Sequence, residues 1–517
     1  MELHRPAGRR AQTAKISAIV AIFGATWGMF GWNCWQASFR AGDSESATPG
    51  PGLARRRSGP AHAGGNRLKY RPYEPVDTSG YQVLLAALEP WGPGASLEKI
   101  SETWKEPGHK LIAKLEGTLE SARQARDVRK VVAMLLTKAL LFNSEGEPEQ
   151  SYEVLREARS VAEGADRVAR EFLYTIIYLQ GAAALRRGEN DNCIMCRGES
   201  SCILPIAPAA VHRDPTGSRL AIRHFTEYLE QFPDDLCARW LLNLAHMTLG
   251  EHPGKVDPRF LISLDHFRAS EFDIGTFRDV GVRAGVNRFN ESGGAIMEDF
   301  DNDGWLDLVV SSYDPTERLA VYWNKANGVF EERGRAAGVA NQLGGLYCVQ
   351  TDYNNDGLFD VYIPRGAWLG YPVRPSLLRN NGDRTFTDVT RDAGLLDPVN
   401  SISAGWADYD NDGWLDLFIC CESQSNRLYH NLGNGKFEEV SVRAGLVGPT
   451  QHLSVCKGSA WLDYDNDNYP DLFLNNLRGV GQLYHNNRNG TFSNVTDCMK
   501  IDGPSQGFAC WAWDYDN

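Results

Sequence analysis

A nine-residue acidic motif recurs along the second half of the chain, and each full copy runs straight into an apolar triplet. Asp299-Phe300-Asp301-Asn302-Asp303-Gly304-Trp305-Leu306-Asp307 precedes Leu308-Val309-Val310. Asp352 to Asp360 precedes Val361-Tyr362-Ile363, Asp408 to Asp416 precedes Leu417-Phe418-Ile419, and Asp463 to Asp471 precedes Leu472-Phe473-Leu474. A fifth copy opens at Asp514-Tyr515-Asp516-Asn517. The starts lie 53, 56, 55 and 51 residues apart, so the chain is read first as a repeat architecture.

Oxygen-bearing side chains stand at positions 1, 3, 5 and 9 of each motif. They are Asp299, Asp301, Asp303 and Asp307; Asp352, Asn354, Asp356 and Asp360; Asp408, Asp410, Asp412 and Asp416; and Asp463, Asp465, Asp467 and Asp471. Alternate carboxylates on a tightly turning loop can converge on one hard cation, and calcium takes six to eight oxygens at about 2.3–2.6 Å. Position 7 (Trp305, Leu358, Trp414, Tyr469) has no suitable side chain and is assigned a backbone carbonyl. Glycine at position 6 (Gly304, Gly357, Gly413) permits a positive-φ turn, and Asn468 in the fourth copy is the next most tolerated residue there. The expectation is about four calcium ions, one per loop. With no thiol or imidazole inside the motifs, zinc, copper and iron are disfavoured. An EF-hand is rejected, since position 12 holds Val310, Ile363, Ile419 or Leu474 in a strand-like run instead of a bidentate Glu. Clusters of Asp, Asn and Gly also make plain turns, but a plain turn has no need of four mutually repelling acids repeated in register.

The chain has 517 residues, which suggests about three domains, and its apolar content of 42% is that of a globular protein. The net charge is −13, and the four loops hold 15 aspartates, so four divalent ions would return more than half of that charge. Nucleic acid is excluded as an expected partner because phosphate binding calls for a basic face.

Residues 1–40 read as an export signal or a membrane anchor: Arg5, Arg9, Arg10 and Lys15 precede an uncharged stretch from Ile16 to Phe39. A retained anchor is favoured over a cleaved signal, which places the chain outside the cytoplasm, secreted or held by one transmembrane segment. Residues 41–78, rich in Gly, Pro, Ala and Arg, read as a disordered tether. From about 80 to 270 the apolar period becomes helical. Helices are expected around Val131 to Leu136, over Glu149 to Ala162 and Arg170 to Leu185, and as a pair at Ala221 to Phe232 and Leu236 to Leu249. Such pairs resemble tetratricopeptide repeats, which stack into an α-solenoid able to present a peptide groove or to serve as a spacer. An insertion at 190–215 carries Cys193, Cys196 and Cys202, then His212. A local disulfide or free thiols are expected there in preference to a metal or haem site, since the spacing fits no zinc finger and Arg197 stands where haem attachment needs His. Cys420 and Cys421, adjacent in an apolar run, are expected in the core.

Between the acidic motifs lies a second recurring element. Tyr322-Trp323-Asn324 is followed by Asn327-Gly328-Val329-Phe330, and Leu428-Tyr429-His430-Asn431 by Asn434-Gly435-Lys436-Phe437. Leu483-Tyr484-His485-Asn486 is likewise followed by Asn489-Gly490-Thr491-Phe492, and Leu378-Arg379-Asn380 by Thr385-Phe386. Asn-Gly between apolar segments signals a hairpin. Ala-Gly closes each unit at Ala284-Gly285, Ala337-Gly338, Ala393-Gly394 and Ala444-Gly445. Each unit therefore holds four short strands and one acidic loop, the content of a propeller blade.

The acidic motif running into an apolar strand resembles the FG-GAP/VCBS repeats of integrin-α-like propellers. With its Asn-Gly-x-Phe and Ala-Gly elements, the region 275–517 is similar to the cartilage acidic protein/ASPIC–UnbV group, and the helical region resembles tetratricopeptide members of it. The resemblance implies an α-solenoid followed by a β-propeller of seven blades when complete, with only part of it and no C-terminal domain within 517 residues. It also implies calcium in the loops and an adhesion or recognition role toward a protein or glycan. Asn468 and Pro470 depart from the pattern in the fourth loop. The competing expectations are a polysaccharide-active enzyme on a propeller scaffold and an electron-transfer partner using the cysteine cluster. The first lacks a nucleophile or acid/base set outside the loops, and His430 and His485 recur in equivalent positions, as structural residues do.

Overall fold

A computed structural model describes residues 70–73, 79–87, 91, 92, 94–193, 206, 208–267, 279–288, 290, 293–368, 371–447, 455–477, 479–503 and 507–513. The chain divides into two compact units: residues up to 87 together with 106–279, and residues 88–105 together with 280 onward.

The first unit is helical: α1 Tyr81–Ala87, α3 Pro107–Gln124, α4 Val128–Ser144, α5 Pro148–Glu163, α6 Asp166–Cys193, α7 Thr216–Gln231 and α8 Leu236–Met247. The starts are written locally. Pro107 and Pro148 open α3 and α5, where a missing N–H costs nothing. Asp127 and Asp235 accept from Lys130 N (3.1 Å) and Ala238 N (3.0 Å) as N-caps of α4 and α8. From α3 to α8 each helix packs on its sequence neighbour, the arrangement of a solenoid. Leu119, Leu135, Leu155, Ile176, Phe225 and Leu242 belong to one core. At Gly181 a Cβ would stand 2.8 Å from the Phe225 ring, so this glycine makes room for α7 against α6.

His224 is buried in that core, its Nε2 2.9 Å from the Tyr152 hydroxyl. Burial pushes the imidazole down to about 4, outweighing the opposing pull of Glu227. The unfolded chain therefore binds a proton that the folded chain refuses between about pH 6.5 and 4. Stability of this unit should fall as pH drops through that window, and His224→Gln should flatten the fall. Melting temperatures of the two proteins between pH 7 and 4 measure this, and parallel curves would count against it.

Among the described residues, no helix is long and apolar enough to cross a membrane; α6, the longest, carries Asp166, Arg170, Glu171 and Arg186 among its charges. This corrects the expectation of an extracytoplasmic chain held by a single transmembrane segment. Ile16 to Phe39, on which that expectation stood, lies outside the described residues, as does the segment 194–205 with Cys196 and Cys202.

Among the described residues, the second unit holds four four-stranded antiparallel sheets in sequence order, the blades of a propeller-like array. Blade 1 holds β1 Ala295–Glu298, β2 Asp307–Val310, β3 Ala320–Asn324 and β4 Phe330–Glu332. Blade 2 holds β5 Val349–Thr351, β6 Asp360–Ile363, β7 Ser376–Asn380 and β8 Phe386–Asp388. Blade 3 holds β9 Ser401–Ala407, β10 Asp416–Cys421, β11 Arg427–Asn431 and β12 Phe437–Glu439. Blade 4 holds β13 Cys456–Leu462, β14 Asp471–Asn476, β15 Gln482–Asn486 and β16 Phe492–Asn494. Two short helices, α2 Leu97–Thr103 and α9 Gly281–Ala284, belong to the same unit. Position 12 of every motif falls in a second strand, as the rejection of an EF-hand requires.

The Ala-Gly elements join neighbouring blades. The carbonyls of Ala337, Ala393 and Ala444 accept from Phe386 N, Phe437 N and Phe492 N of the following blade at 2.9, 3.0 and 2.8 Å. Gly338 sits at φ 79°, where an added Cβ would lie 2.9 Å from the Phe386 carbonyl. Cys420 is in the core, but it is bonded to Cys456 of the next blade, while Cys421 is a buried free thiol.

Candidate metal centre

Each acidic motif is the connection from the first to the second strand of its blade, and its ninth residue is the first of the second strand. The turn is the same four times. The first aspartate accepts from the backbone N–H of positions 5 and 6, as Asp299 does from Asp303 (3.0 Å) and Gly304 (2.8 Å). Asp352, Asp408 and Asp463 repeat this. The fifth residue accepts from the N–H of position 7: Trp305, Leu358, Trp414 and Tyr469 donate to Asp303, Asp356, Asp412 and Asp467 at 2.8–2.9 Å. Position 6 is left-handed throughout, at φ 88°, 81° and 91° for the glycines and 68° for Asn468. Position 4 is left-handed as well, in Asn302, Asn355, Asn411 and Asn466, which the motif alone did not disclose.

The turn gathers oxygens. Asp299, Asp301 and Asp303 each bring a carboxylate oxygen within 4.8 Å of the other two, as do Asp408, Asp410 and Asp412, and Asp463, Asp465 and Asp467. In the second loop Asn354 replaces the acid and donates to Asp356 Oδ2 at 2.8 Å. The ninth residues, Asp307, Asp360, Asp416 and Asp471, are at most 1% exposed. Each accepts through Oδ1 from an asparagine N–H in the third strand: Asn324, Asn380, Asn431 or Asn486. Burial pushes Asp307 up to about 6 and Asp360 up to about 8, the asparagine N–H opposing it in both. Asp416 and Asp471 are raised for the same reason.

Among the described residues, four oxygens in these loops are buried without a hydrogen-bond partner: Asp301 Oδ2, Asn354 Oδ1 and Asp410 Oδ1 at position 3, and Asp360 Oδ2 at position 9. Buried acceptors with no donor are costly, and carboxyls whose charge is penalised by burial gain most from a divalent ion. The residues present fit a hard cation with oxygen ligands.

Two residue sets were not legible as site residues. The third-strand asparagines also join the loops of successive blades. Asn380 Nδ2 donates to Phe300 O (2.7 Å), Asn431 to Tyr353 O (2.8 Å) and Asn486 to Tyr409 O (2.7 Å), each at position 2 of the preceding blade's loop. Asn355 and Asn411 at position 4 reach the carbonyl at position 6 of the next loop, Gly413 (2.9 Å) and Asn468 (3.0 Å). The second set is the histidines. His430 Nδ1 lies 3.1 Å from Asp416 Oδ1 and 3.4 Å from Asp410 Oδ2, and His485 Nδ1 lies 3.3 Å from Asp471 and 3.5 Å from Asp465. No imidazole lies within a motif, but the third strand brings one to loops three and four. Its signal was present, since both histidines directly precede the recurring asparagine.

A family model described as FG-GAP-like repeat matches residues 299–363, 367–419, 408–458 and 463–517. The chain is 27% identical to mouse cartilage acidic protein 1 over 242 residues, which is 44% of this chain and 36% of that protein. It is 26% identical to the human protein over 242 residues, 44% of this chain and 35% of that one. The match thus spans about a third of the length of these relatives. Fifth-loop residues 514–517 fall inside the family match but outside the described residues.

Proposed function

For a chain that carries FG-GAP-like repeats, with cartilage acidic protein 1 among its relatives, we propose that the second unit is a calcium-stabilised recognition module for a protein or glycan. The carrying observation is the set of buried oxygens without a donor in loops two and three: Asn354 Oδ1, Asp360 Oδ2 and Asp410 Oδ1. In each loop the side chains at positions 1, 3, 5 and 9 would hold one ion, with the carbonyl of Trp305, Leu358, Trp414 or Tyr469 completing the set. When bound, the ion supplies positive charge to a cluster that burial and mutual repulsion penalise.

The protein's own residues then give the ion its mechanical effect. Position 9 starts the second strand, so a fixed loop fixes where that strand begins. Position 2 of the same loop receives the next blade's asparagine, so the next blade docks on a loop already set. Calcium in this reading is structural and does not react, and the loops and blade faces it holds rigid are the surface offered to a ligand.

Calorimetric titration of calcium into the full chain tests the reading. Binding of about four ions is expected, with a melting temperature that rises with free calcium as each site adds about 2.7 kcal/mol of unfolding free energy at a hundredfold excess over Kd. Absence of binding to a folded chain would overturn it.

A further inference from the structure

Two of the four loops are already met by a positive charge from a neighbouring hairpin. Arg384 stands in the turn between β7 and β8 of blade 2, and its guanidinium reaches back to blade 1. There Nη2 pairs with Asp301 Oδ2 and lies 3.3 Å from Asp303 Oδ2, while the group sits over the Trp323 ring. Arg488, in the turn between β15 and β16, places Nε 2.6 Å from Asp467 Oδ2 and lies over Tyr469. At position 3 of loops one, two and three a buried oxygen has no hydrogen-bond partner among the described residues, and of these the one on Asp301 faces a guanidinium, that of Arg384.

The backbone marks Arg384 as unusual. The hairpin of every blade needs a left-handed residue at this point. Blades 1, 3 and 4 use Gly328, Gly435 and Gly490, at φ 79°, 79° and 77°, whereas blade 2 uses Arg384 at φ 67°. A residue with a Cβ is strained in that conformation, so the guanidinium is held at the acidic loop despite a backbone cost.

We propose that Arg384 and Arg488 are tethered counter-cations that compete with the divalent ion for loops one and four. The inference rests on the calcium reading above and adds a rank among its sites. With the ion absent, each arginine offsets the aspartates it touches, and Arg384 in doing so clips blade 2 to blade 1. With the ion present, the arginine must withdraw, and calcium affinity falls by whatever that pairing contributed. Both side chains are about half exposed, at 53% and 56%, so withdrawal into solvent is open to them and the penalty is that of a partly exposed pair.

The test follows calcium binding to the full chain site by site, through the backbone amides of [15N]tryptophan. Trp305 N–H donates to Asp303 in loop one, and Trp414 N–H donates to Asp412 in loop three. Arg384→Gln should lower the half-saturating calcium concentration at Trp305 by about threefold, leave Trp414 unchanged, and lower the melting temperature in chelator. An unchanged or raised half-saturation at Trp305 overturns the proposal. If wild type shows no calcium-dependent shift at either amide, the calcium reading itself fails, and the proposal with it. Arg488→Gln, read at the [15N]Tyr469 amide, repeats the test at loop four and carries it alone should Arg384→Gln not fold.

Discussion

Asn431→Ala is expected to lower the unfolding free energy of the second unit by about 3 kcal/mol, read as a loss in denaturant midpoint on the full chain. Asn431 is fully buried, and its side chain makes three hydrogen bonds. It donates to Tyr353 O at 2.8 Å and Leu415 O at 3.1 Å, and it accepts from Gly433 N at 3.1 Å. Alanine removes all three and takes this donor from the buried Tyr353 carbonyl and the half-buried Leu415 carbonyl, each loss costing about 1 kcal/mol. One of those carbonyls belongs to the acidic loop of blade 2, so the change also loosens the docking of blade 3. Asn434→Ala is the control, because its exposed side chain caps only the Lys436 N–H of its own hairpin. It should cost less than about 0.5 kcal/mol. Equal losses in the two variants would remove the third-strand asparagine from the account of how blades are joined.

Asp360→Asn should behave in opposite ways with and without calcium. Its carboxyl is fully buried and pushed up to about 8 by that burial, so in chelator at neutral pH it holds its proton most of the time. Replacement by the neutral amide then costs little and leaves the melting temperature unchanged or slightly higher. Calcium needs the ionised form, so binding at loop two releases that proton, and the amide cannot supply the charge. The variant should therefore lose that site's share of the calcium stabilisation, about 2.7 kcal/mol at a hundredfold excess over Kd. Scanning calorimetry in chelator and in calcium reads both numbers. An equal drop in the two conditions would make Asp360 a residue of the fold and not a ligand.

The histidines show where reading the motif alone stops. Within nine residues the ligand types are all oxygen, and the inference against soft metals follows from that window. His430 and His485 enter from the third strand, 14 residues beyond position 9, because the antiparallel sheet folds β11 and β15 back alongside β10 and β14. The disulfide is a similar case. Cys420 was legible as core from its apolar neighbours, but its partner Cys456 lies 36 residues on, at the start of the next blade.

The sequence by itself determined whatever is local to one repeat. Aspartates at alternate positions, a left-handed residue at position 6, hairpins at Asn-Gly and strands after each acidic turn are all set by residues within a few positions of one another. The helical unit was legible for the same reason, through a sustained apolar period of helical spacing. Only the tertiary structure decided how one blade is fastened to the next. The bonds from Asn380, Asn431 and Asn486 to the preceding loops cross 80, 78 and 77 residues, and the reach of Arg384 to Asp303 crosses 81. Those separations exceed the repeat of about 55 residues. They arise only when blades stack and the third strand of one stands beside the acidic loop of the one before.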